Sequence, residues 1–165
     1  MSFELRSSAF GDYGLYPDEL VAVSPPLEWT DPPEGTRSLA LVVEQRPKLH
    51  TPWEEALGSD PETYWIAWGI PPHAGRLDAG AQLIREGASY TGEPGWALPA
   101  PSRERRRVLW FRLLALSEEL SLARGASRRE LLEAVSGNVV AEASLEAVWE
   151  PGRPRFFDRL RRLLA

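Results

Sequence analysis

The chain of 165 residues has no cysteine, only two histidines and a single methionine. Without cysteine it can form no disulfide, no thiolate nucleophile and no cysteine-ligated zinc or iron–sulfur site. This composition fits a reducing compartment, and the N-terminus lacks an apolar signal core, so we expect a cytoplasmic protein. Apolar runs long enough to span a bilayer are also missing, and we therefore expect no integral membrane association.

The residues that most often carry out catalysis or hold metals are few. The histidines, His50 and His73, lie in proline-rich sequence, whereas a metal site usually needs several histidines and carboxylates at defined spacing. A Gly-x-Ser-x-Gly motif and a glycine-rich phosphate-binding loop are absent. We expect a non-enzymatic protein with no metal and no cofactor. A hydrolase that uses His50 and the acidic residues between Glu54 and Glu62, which we otherwise expect to be solvated, is the weakest alternative.

Charge is distributed unevenly along the chain. The formal net charge is −5, which disfavours nucleic-acid binding by the surface as a whole. Residues 151–165 contain five arginines and one aspartate, a net charge of +4, so residues 1–150 carry −9. Within this segment, apolar residues recur at helical spacing from Arg155 to Ala165, which predicts a short amphipathic helix. We expect one domain over residues 1–150 and a helical extension over 151–165 that docks on the domain or on a second copy.

Short apolar segments separated by turn-forming residues predict a mainly β fold. Thirteen of the fifteen prolines and ten of the thirteen glycines lie in the first two thirds of the chain, where long helices are therefore disfavoured. Between them we predict strands at Ser38–Val43, Thr63–Trp68 and Val108–Leu116. The first is apolar nearly throughout, which is typical of a strand buried on both faces. Such an arrangement indicates a β-sandwich, with most of the seven tryptophans in its core.

The region after residue 126 predicts one helix followed by one strand. Ser127 and Glu130 form a capping-box pattern, an apolar stripe follows, and Gly137 fits a left-handed helix end. From Val139 to Trp149 the residues alternate with a period of two, and every acid falls on one face. We predict a strand there, although the alanines and glutamates in it intrinsically favour a helix.

Several blocks of sequence, in order along the chain, resemble one protein family. Residues 24–44 read Ser-Pro-Pro-Leu-x-Trp, then x-Pro-x-Gly-Thr-x-Ser, then a strand. Shorter matches follow at Tyr64–Pro71, Gly95–Pro101 and Phe111–Leu116. With these motifs the chain resembles the phosphatidylethanolamine-binding protein family, in particular its bacterial branch, called Raf kinase inhibitor-like. The resemblance implies a β-sandwich with small peripheral helices and a shallow anion pocket at one end.

The positions that build this pocket in the family carry other residues here. The resemblance implies an Asp-Pro-Asp-x-Pro loop after the first strand, two histidines and several tyrosines. Gln45 stands where the first aspartate is expected, Tyr64 and Arg107 stand at the two histidine positions, and Trp96 replaces the tyrosine of Gly-Tyr. The fold is therefore expected to be retained and the pocket chemistry to be changed.

Arg107 ends the basic run Arg103–Arg107 and could keep an anion pocket working. A guanidinium can grip a phosphate or carboxylate at two points, and its charge does not depend on pH. In this hypothesis Gln45 binds the neutral part of the ligand, Tyr64 donates its hydroxyl and Trp96 forms a wall. The alternative is a solvated basic turn that pairs with acids such as Glu44.

Two functions follow from these expectations. The first is a non-enzymatic binding protein with a remodelled pocket for a small anionic or polar ligand. The second is an interaction protein that modulates a kinase or a protease, as some relatives are described to do. In the second case residues 151–165 would be the contact surface for the protein partner, or the surface of a homodimer.

Overall fold

The computed structural model describes residues 2–46, 61–99, 106–150 and 163–164. Their strands form a three-stranded sheet and a five-stranded sheet. The small sheet has the order β1–β3–β6 and is antiparallel, and the large sheet has the order β2–β8–β7–β4–β5, in which only β2 runs parallel to its neighbour. The strand bounds are β1 Leu5–Arg6, β2 Gly14–Leu15, β3 Leu27–Trp29, β4 Ser38–Gln45, β5 Thr63–Ile70, β6 Arg76–Leu77, β7 Arg107–Leu116 and β8 Val139–Trp149.

Strand β4 lies inside the large sheet, between β5 and β7. Its residues from Leu39 to Val43 have no exposed surface, which explains their continuous apolar sequence. The prediction of a strand here is confirmed, and the strand extends two residues further, through Glu44 and Gln45. Both of these residues pair with β7, since Glu44 lies opposite Trp110 and Gln45 lies opposite Leu109.

One apolar core joins the two sheets. The small sheet contributes Leu5, Leu27 and Trp29, and the large sheet contributes the inward residues of β4, β5, β7 and β8. Four of the seven tryptophans are buried, which agrees with the expectation from sequence: Trp29, Trp65, Trp68 and Trp149. Trp110 is only partly buried, and Trp53 lies outside the described residues.

The other face of the large sheet is covered in part by helix α1, Arg128–Val135. The predicted capping box is present: the Ser127 side chain accepts from the backbone N–H of Glu130, and the Glu130 side chain accepts from the backbone N–H of Ser127. Leu131 and Val135 are buried in a second apolar cluster with residues of β4, β5 and β7. Gly137 follows the helix with a φ of 81°, as predicted for a left-handed helix end.

Residues Val139–Trp149 form strand β8, as their alternation predicted. The strand pairs with β7 along almost its whole length, from Arg107 opposite Trp149 to Leu116 opposite Val139. These backbone hydrogen bonds, together with burial of the inward side chains, outweigh the helix propensity of its alanines and glutamates.

Short 3-10 turns occur at Asp18–Leu20 and Pro72–Ala74. In the part of the chain that the structure describes, no helix has the length and apolarity needed to cross a bilayer. The predicted C-terminal helix lies outside the described residues, except for Leu163 and Leu164, which are helical and exposed. Several other residues that the sequence singles out also lie outside them: His50, Glu54, Glu55, Asp60 and Arg103–Arg105.

Candidate functional site

The C-terminal end of β4 and the N-terminal ends of β5 and β7 lie side by side at one end of the large sheet. Glu44 lies opposite Thr63, and the backbone N–H of Gln45 donates to the carbonyl of Glu62 over 2.9 Å. On the other side, Gln45 lies opposite Leu109, two residues into β7 from Arg107. This pairing brings together four residues that we call the strand-end cluster: Gln45, Glu62, Tyr64 and Arg107.

Arg107 and Glu62 form an ion pair in the strand-end cluster. The Nε atom of Arg107 lies 3.6 Å from Oε1 of Glu62, and the arginine side chain is only 10% exposed. The distance is longer than a good charge-assisted hydrogen bond, so the carboxylate neutralises the charge of Arg107 without taking up its donors. Acids such as Glu44 were the alternative partner for the basic run, but Glu44 instead pairs with Arg112 and Arg128.

Tyr64 is fully buried next to this ion pair. Burial raises the pKa of its hydroxyl above the ordinary value, and the neighbouring Glu62 carboxylate raises the pKa further, both through its charge and as a hydrogen-bond acceptor for the hydroxyl, while the charge of Arg107 lowers it in part. The hydroxyl therefore stays protonated at neutral pH. The ring meets Tyr90 edge to face, with 6.3 Å between the ring centroids, and this contact fixes its position.

Three polar atoms of the strand-end cluster are buried and have no hydrogen-bond partner among the described residues. They are Nη1 of Arg107, Oε1 of Glu62 and the hydroxyl oxygen of Tyr64. Buried polar groups in native proteins are nearly always paired, because an unpaired one costs about 1–3 kcal/mol. These two donors and one acceptor make no close hydrogen bond to other described residues, and Glu62 is the carboxylate that acts on both Tyr64 and Arg107.

Trp96, the fourth predicted site residue, packs against the core between the two sheets. Its ring stacks near Tyr16 and Phe111, at centroid distances of 6.0 and 6.4 Å, and its indole N–H donates to the carbonyl of Val21. The same ring lines a cleft, and none of the strand-end cluster residues line that cleft. The structure therefore brings Gln45, Tyr64 and Arg107 together, and the role of Trp96 as a wall of the ligand site stays a prediction.

Glu62 was missed as a site residue because its sequence suggested a solvated acidic loop. The signal in the sequence was its position directly before β5 and two residues from Tyr64, a spacing that puts both side chains on the same face of an extended chain. Among the described residues no three histidine, aspartate or glutamate side chains are grouped as metal ligands. His73 lies exposed in the turn at Pro72–Ala74.

The same architecture occurs in a solved structure. The crystal structure of E. coli YbcL, described as a new member of the mammalian PEBP family, aligns with a TM-score of 0.74 at 20% identity over 90% of this chain and 98% of that one. At this identity the match concerns the fold alone. The class is therefore a mainly β protein with the fold of that family.

Sequence comparison assigns the chain to a family. The model of the family described as phosphatidylethanolamine-binding protein matches residues 6–150. The chain belongs to the phosphatidylethanolamine-binding protein family, as the motifs in its sequence predicted.

Relatives from distant organisms match nearly end to end. A UPF0098 protein of Chlamydia trachomatis is 33% identical over 153 residues, covering 89% of this chain and 98% of the relative. A UPF0098 protein of Methanothermobacter thermautotrophicus is 32% identical over 162 residues, covering 90% and 99%. The crystal structure of a putative phosphatidylethanolamine-binding protein homologue from C. trachomatis aligns with a TM-score of 0.77 at 30% identity, covering 90% of this chain and 97% of that one.

Proposed function

We propose that the strand-end cluster binds a small polar ligand, and that the protein acts by binding rather than by catalysis. The ligand presents an anionic or acceptor group to Arg107 and Tyr64 and a hydrogen-bond donor to Glu62. The observation that carries the proposal is the set of three buried polar atoms on these side chains that lack partners among the described residues. A ligand that pairs all three atoms removes the cost of leaving them unpaired.

The donor half of the site suits a phosphate or carboxylate. The Nη1 atom of Arg107 and the hydroxyl of Tyr64 both donate hydrogen bonds, and neither group loses its proton at neutral pH. Hydrogen bonds from a guanidinium to an anion are about twice as strong as bonds between neutral groups. Any change in anion binding between about pH 6 and 8 is therefore expected to come mainly from the ligand, since a phosphomonoester changes from a dianion to a monoanion at about pH 6 as the pH falls.

The acceptor half of the site selects among anions. Glu62 lies 3.6 Å from Arg107, so its carboxylate repels a bare dianion that approaches the guanidinium. A ligand that also carries an ammonium or hydroxyl group turns this repulsion into a hydrogen bond. Phosphoethanolamine, the polar part of the lipid in the name of the family, carries a phosphate and an ammonium group on neighbouring carbon atoms. Its match to the two halves of the site makes it the first ligand to test.

The test is a titration of the ¹⁵N-labelled protein, followed by NMR, with phosphoethanolamine, inorganic phosphate and ethanolamine. We expect saturable shifts near Arg107 and Tyr64, with phosphoethanolamine binding more tightly than either fragment. Arg107→Gln removes the charged donor and should weaken binding roughly 10- to 100-fold.

The neighbouring residue provides a matched control. Arg106 has a side chain that is 66% exposed and lies 3.3 Å from Glu150, outside the strand-end cluster. Arg106→Gln removes the same charge from the same strand end and should leave binding within about twofold of the wild type. Equal losses in the two variants would show only general attraction by positive charge, and no saturable shift at about 10 mM of any of the three compounds would refute the proposal.

A further inference from the structure

A cleft of about 560 Å³ lies apart from the strand-end cluster. Its lining residues come from three short stretches, residues 22–24, 80–84 and 94–96, together with Glu86 and Arg124. We call it the Glu86 cleft, after the buried acid in its wall. This volume is within the range of small-molecule sites, which usually combine apolar walls with a few placed polar groups.

Ser24 places an unpaired hydroxyl in the wall of the Glu86 cleft. The residue is 2% exposed, and its Oγ is buried without a hydrogen-bond partner among the described residues. Its backbone is held in place, since its carbonyl accepts from the N–H of Gly80 over 2.9 Å. A fixed, buried hydroxyl that can both donate and accept is a polar group available to a ligand.

Glu86 places a carboxylate in the same wall with acceptor capacity to spare. It is 5% exposed, and its Oε1 accepts from the indole N–H of Trp65 over 3.1 Å and from the N–H of Leu83 over 3.2 Å. Its Oε2 receives one long contact, 3.4 Å from Nη2 of Arg124. Gly95 lies beside this oxygen without a side chain to cover it: a Cβ there would sit 3.5 Å away. Because a carboxylate accepts about four hydrogen bonds, Oε2 can take another donor.

The polar part of the Glu86 cleft has no net charge. Arg124 is anchored by two hydrogen bonds of 3.0 Å, from Nη1 to the carbonyls of Leu83 and Ile84, and its positive charge balances that of Glu86. An anionic ligand would meet the carboxylate, and a cationic one would compete with a guanidinium that is already held in place. The balance therefore favours an uncharged ligand.

We propose that the Glu86 cleft binds an uncharged small molecule that carries an amide or hydroxyl donor on a ring or short apolar body. The donor bonds to Oε2 of Glu86, Ser24 Oγ pairs with the polar end of the molecule, and the apolar body packs against Trp96 and Leu83. The proposal does not depend on the ligand of the strand-end cluster, because the two sites share no lining residue.

The probe for this proposal is benzamide, which has two N–H donors, a carbonyl and one ring. The ¹⁵N-labelled protein is titrated and the indole N–H of Trp96 is followed by NMR. We expect saturable binding in the millimolar range, and binding roughly tenfold weaker for N,N-dimethylbenzamide, which has no donor. Benzoate and benzylammonium, which carry the opposite charges on the same ring, should bind more weakly than benzamide.

Two variants locate the binding. Ala22 is exposed in the lining of the cleft, so Ala22→Trp fills it from the surface without disturbing the core and should abolish benzamide binding. Ala74→Trp, at an exposed residue outside the lining, should bind as the wild type does. Arg107→Gln should also leave benzamide binding unchanged, because Arg107 belongs to the other site.

Three outcomes would overturn the proposal. The first is equal binding of benzamide and its dimethyl derivative, which would show an apolar patch without polar recognition. The second is tighter binding of either charged probe than of benzamide. The third is unchanged benzamide binding in Ala22→Trp, which would place the probe elsewhere on the protein.

Discussion

Arg128 opens helix α1 and places its Nε 2.6 Å from Oε2 of Glu44, a residue that is 1% exposed near the end of β4. Arg112 of β7 approaches the other carboxylate oxygen of Glu44 to 3.4 Å. Burial acts to lower the pKa of Arg112, but hydrogen bonds and charges from Glu142 and Glu44 outweigh it and raise the pKa. One buried carboxylate thus ties the helix to two strands of the large sheet.

Replacing this carboxylate should destabilise the fold. Glu44→Gln keeps the shape of the side chain but removes the buried charge that Arg112 and Arg128 share, while Arg112 keeps its ion pair with Glu142. We expect the free energy of unfolding to fall by about 2–3 kcal/mol. Urea unfolding followed by tryptophan fluorescence measures the change. Glu133→Gln, at an exposed position on the same helix, is the control and should stay within about 0.5 kcal/mol of the wild type. A Glu44→Gln protein as stable as this control would show that the ion pairs add nothing to stability.

The capping box at the start of α1 gives a second prediction. Ser127 Oγ accepts from the N–H of Glu130 over 3.1 Å, so Ser127→Ala leaves that helix N–H without its partner. We expect a loss of about 1 kcal/mol in the free energy of unfolding. Ser121→Ala, at an exposed serine ahead of the helix, should change stability by less than about 0.5 kcal/mol. A smaller loss at Ser127 than at Ser121 would contradict the role of the cap.

The turn after α1 depends on one glycine. Gly137 has a φ of 81°, and a Cβ placed there would meet no atom within 4 Å. Any cost of Gly137→Ala therefore comes from backbone conformation and not from a clash, and we expect about 1–2 kcal/mol of destabilisation. Gly11 has equally open surroundings but no left-handed φ, so Gly11→Ala should be neutral or slightly stabilising. Thermal unfolding of the two variants side by side tests the difference, and equal transition temperatures would contradict the prediction.

Much of the fold could be predicted because local patterns and tertiary contacts agree. The apolar run at Leu39–Val43 is buried on both faces, and the Ser127–Glu130 pattern is a capping box in the structure. Strand bounds were less accurate: β5 extends to Ile70, beyond the predicted end at Trp68. Its last residues belong to the strand through pairing with β4, where Ile70 lies opposite Leu39. Such pairing depends on a partner distant in sequence, and local propensity does not contain it.

The candidate site was less accessible from sequence. The motifs predict Gln45, Tyr64 and Arg107 as neighbours, and the strand register places them at the same end of the large sheet. The sequence predicts a solvated acid at Glu62, because a carboxylate next to a strand does not reveal which arginine will reach it. Trp96 is predicted for the pocket from its position after Gly95, and the direction of its ring, set by packing against Tyr16 and Phe111, is not contained in the motif.

Tyr64 links the candidate site to stability. Its buried hydroxyl makes no close hydrogen bond among the described residues, so Tyr64→Phe removes at most a weak interaction with the Glu62 carboxylate. At pH 7 we expect the free energy of unfolding to stay the same or rise by up to about 1 kcal/mol. Affinity for phosphoethanolamine should fall in the same variant. A stable protein with weakened binding would assign the hydroxyl to the ligand and not to the fold.

The same variant makes a prediction at alkaline pH. Burial raises the pKa of Tyr64 in the folded protein above the ordinary value of 10.0, so above about pH 10 the unfolded chain loses this proton while the folded protein keeps it. Below about pH 10 this difference in pKa has no effect on stability, and above it the free energy of unfolding falls by about 1.4 kcal/mol per pH unit for this group. Denaturant unfolding between about pH 9 and 11.5 should therefore show a shallower decline for Tyr64→Phe than for the wild type. Tyr13→Phe, at a tyrosine that is 65% exposed, is the control and should keep the wild-type slope. Parallel declines in Tyr64→Phe and the wild type would mean that the Tyr64 hydroxyl ionises in the folded protein as readily as in the unfolded chain.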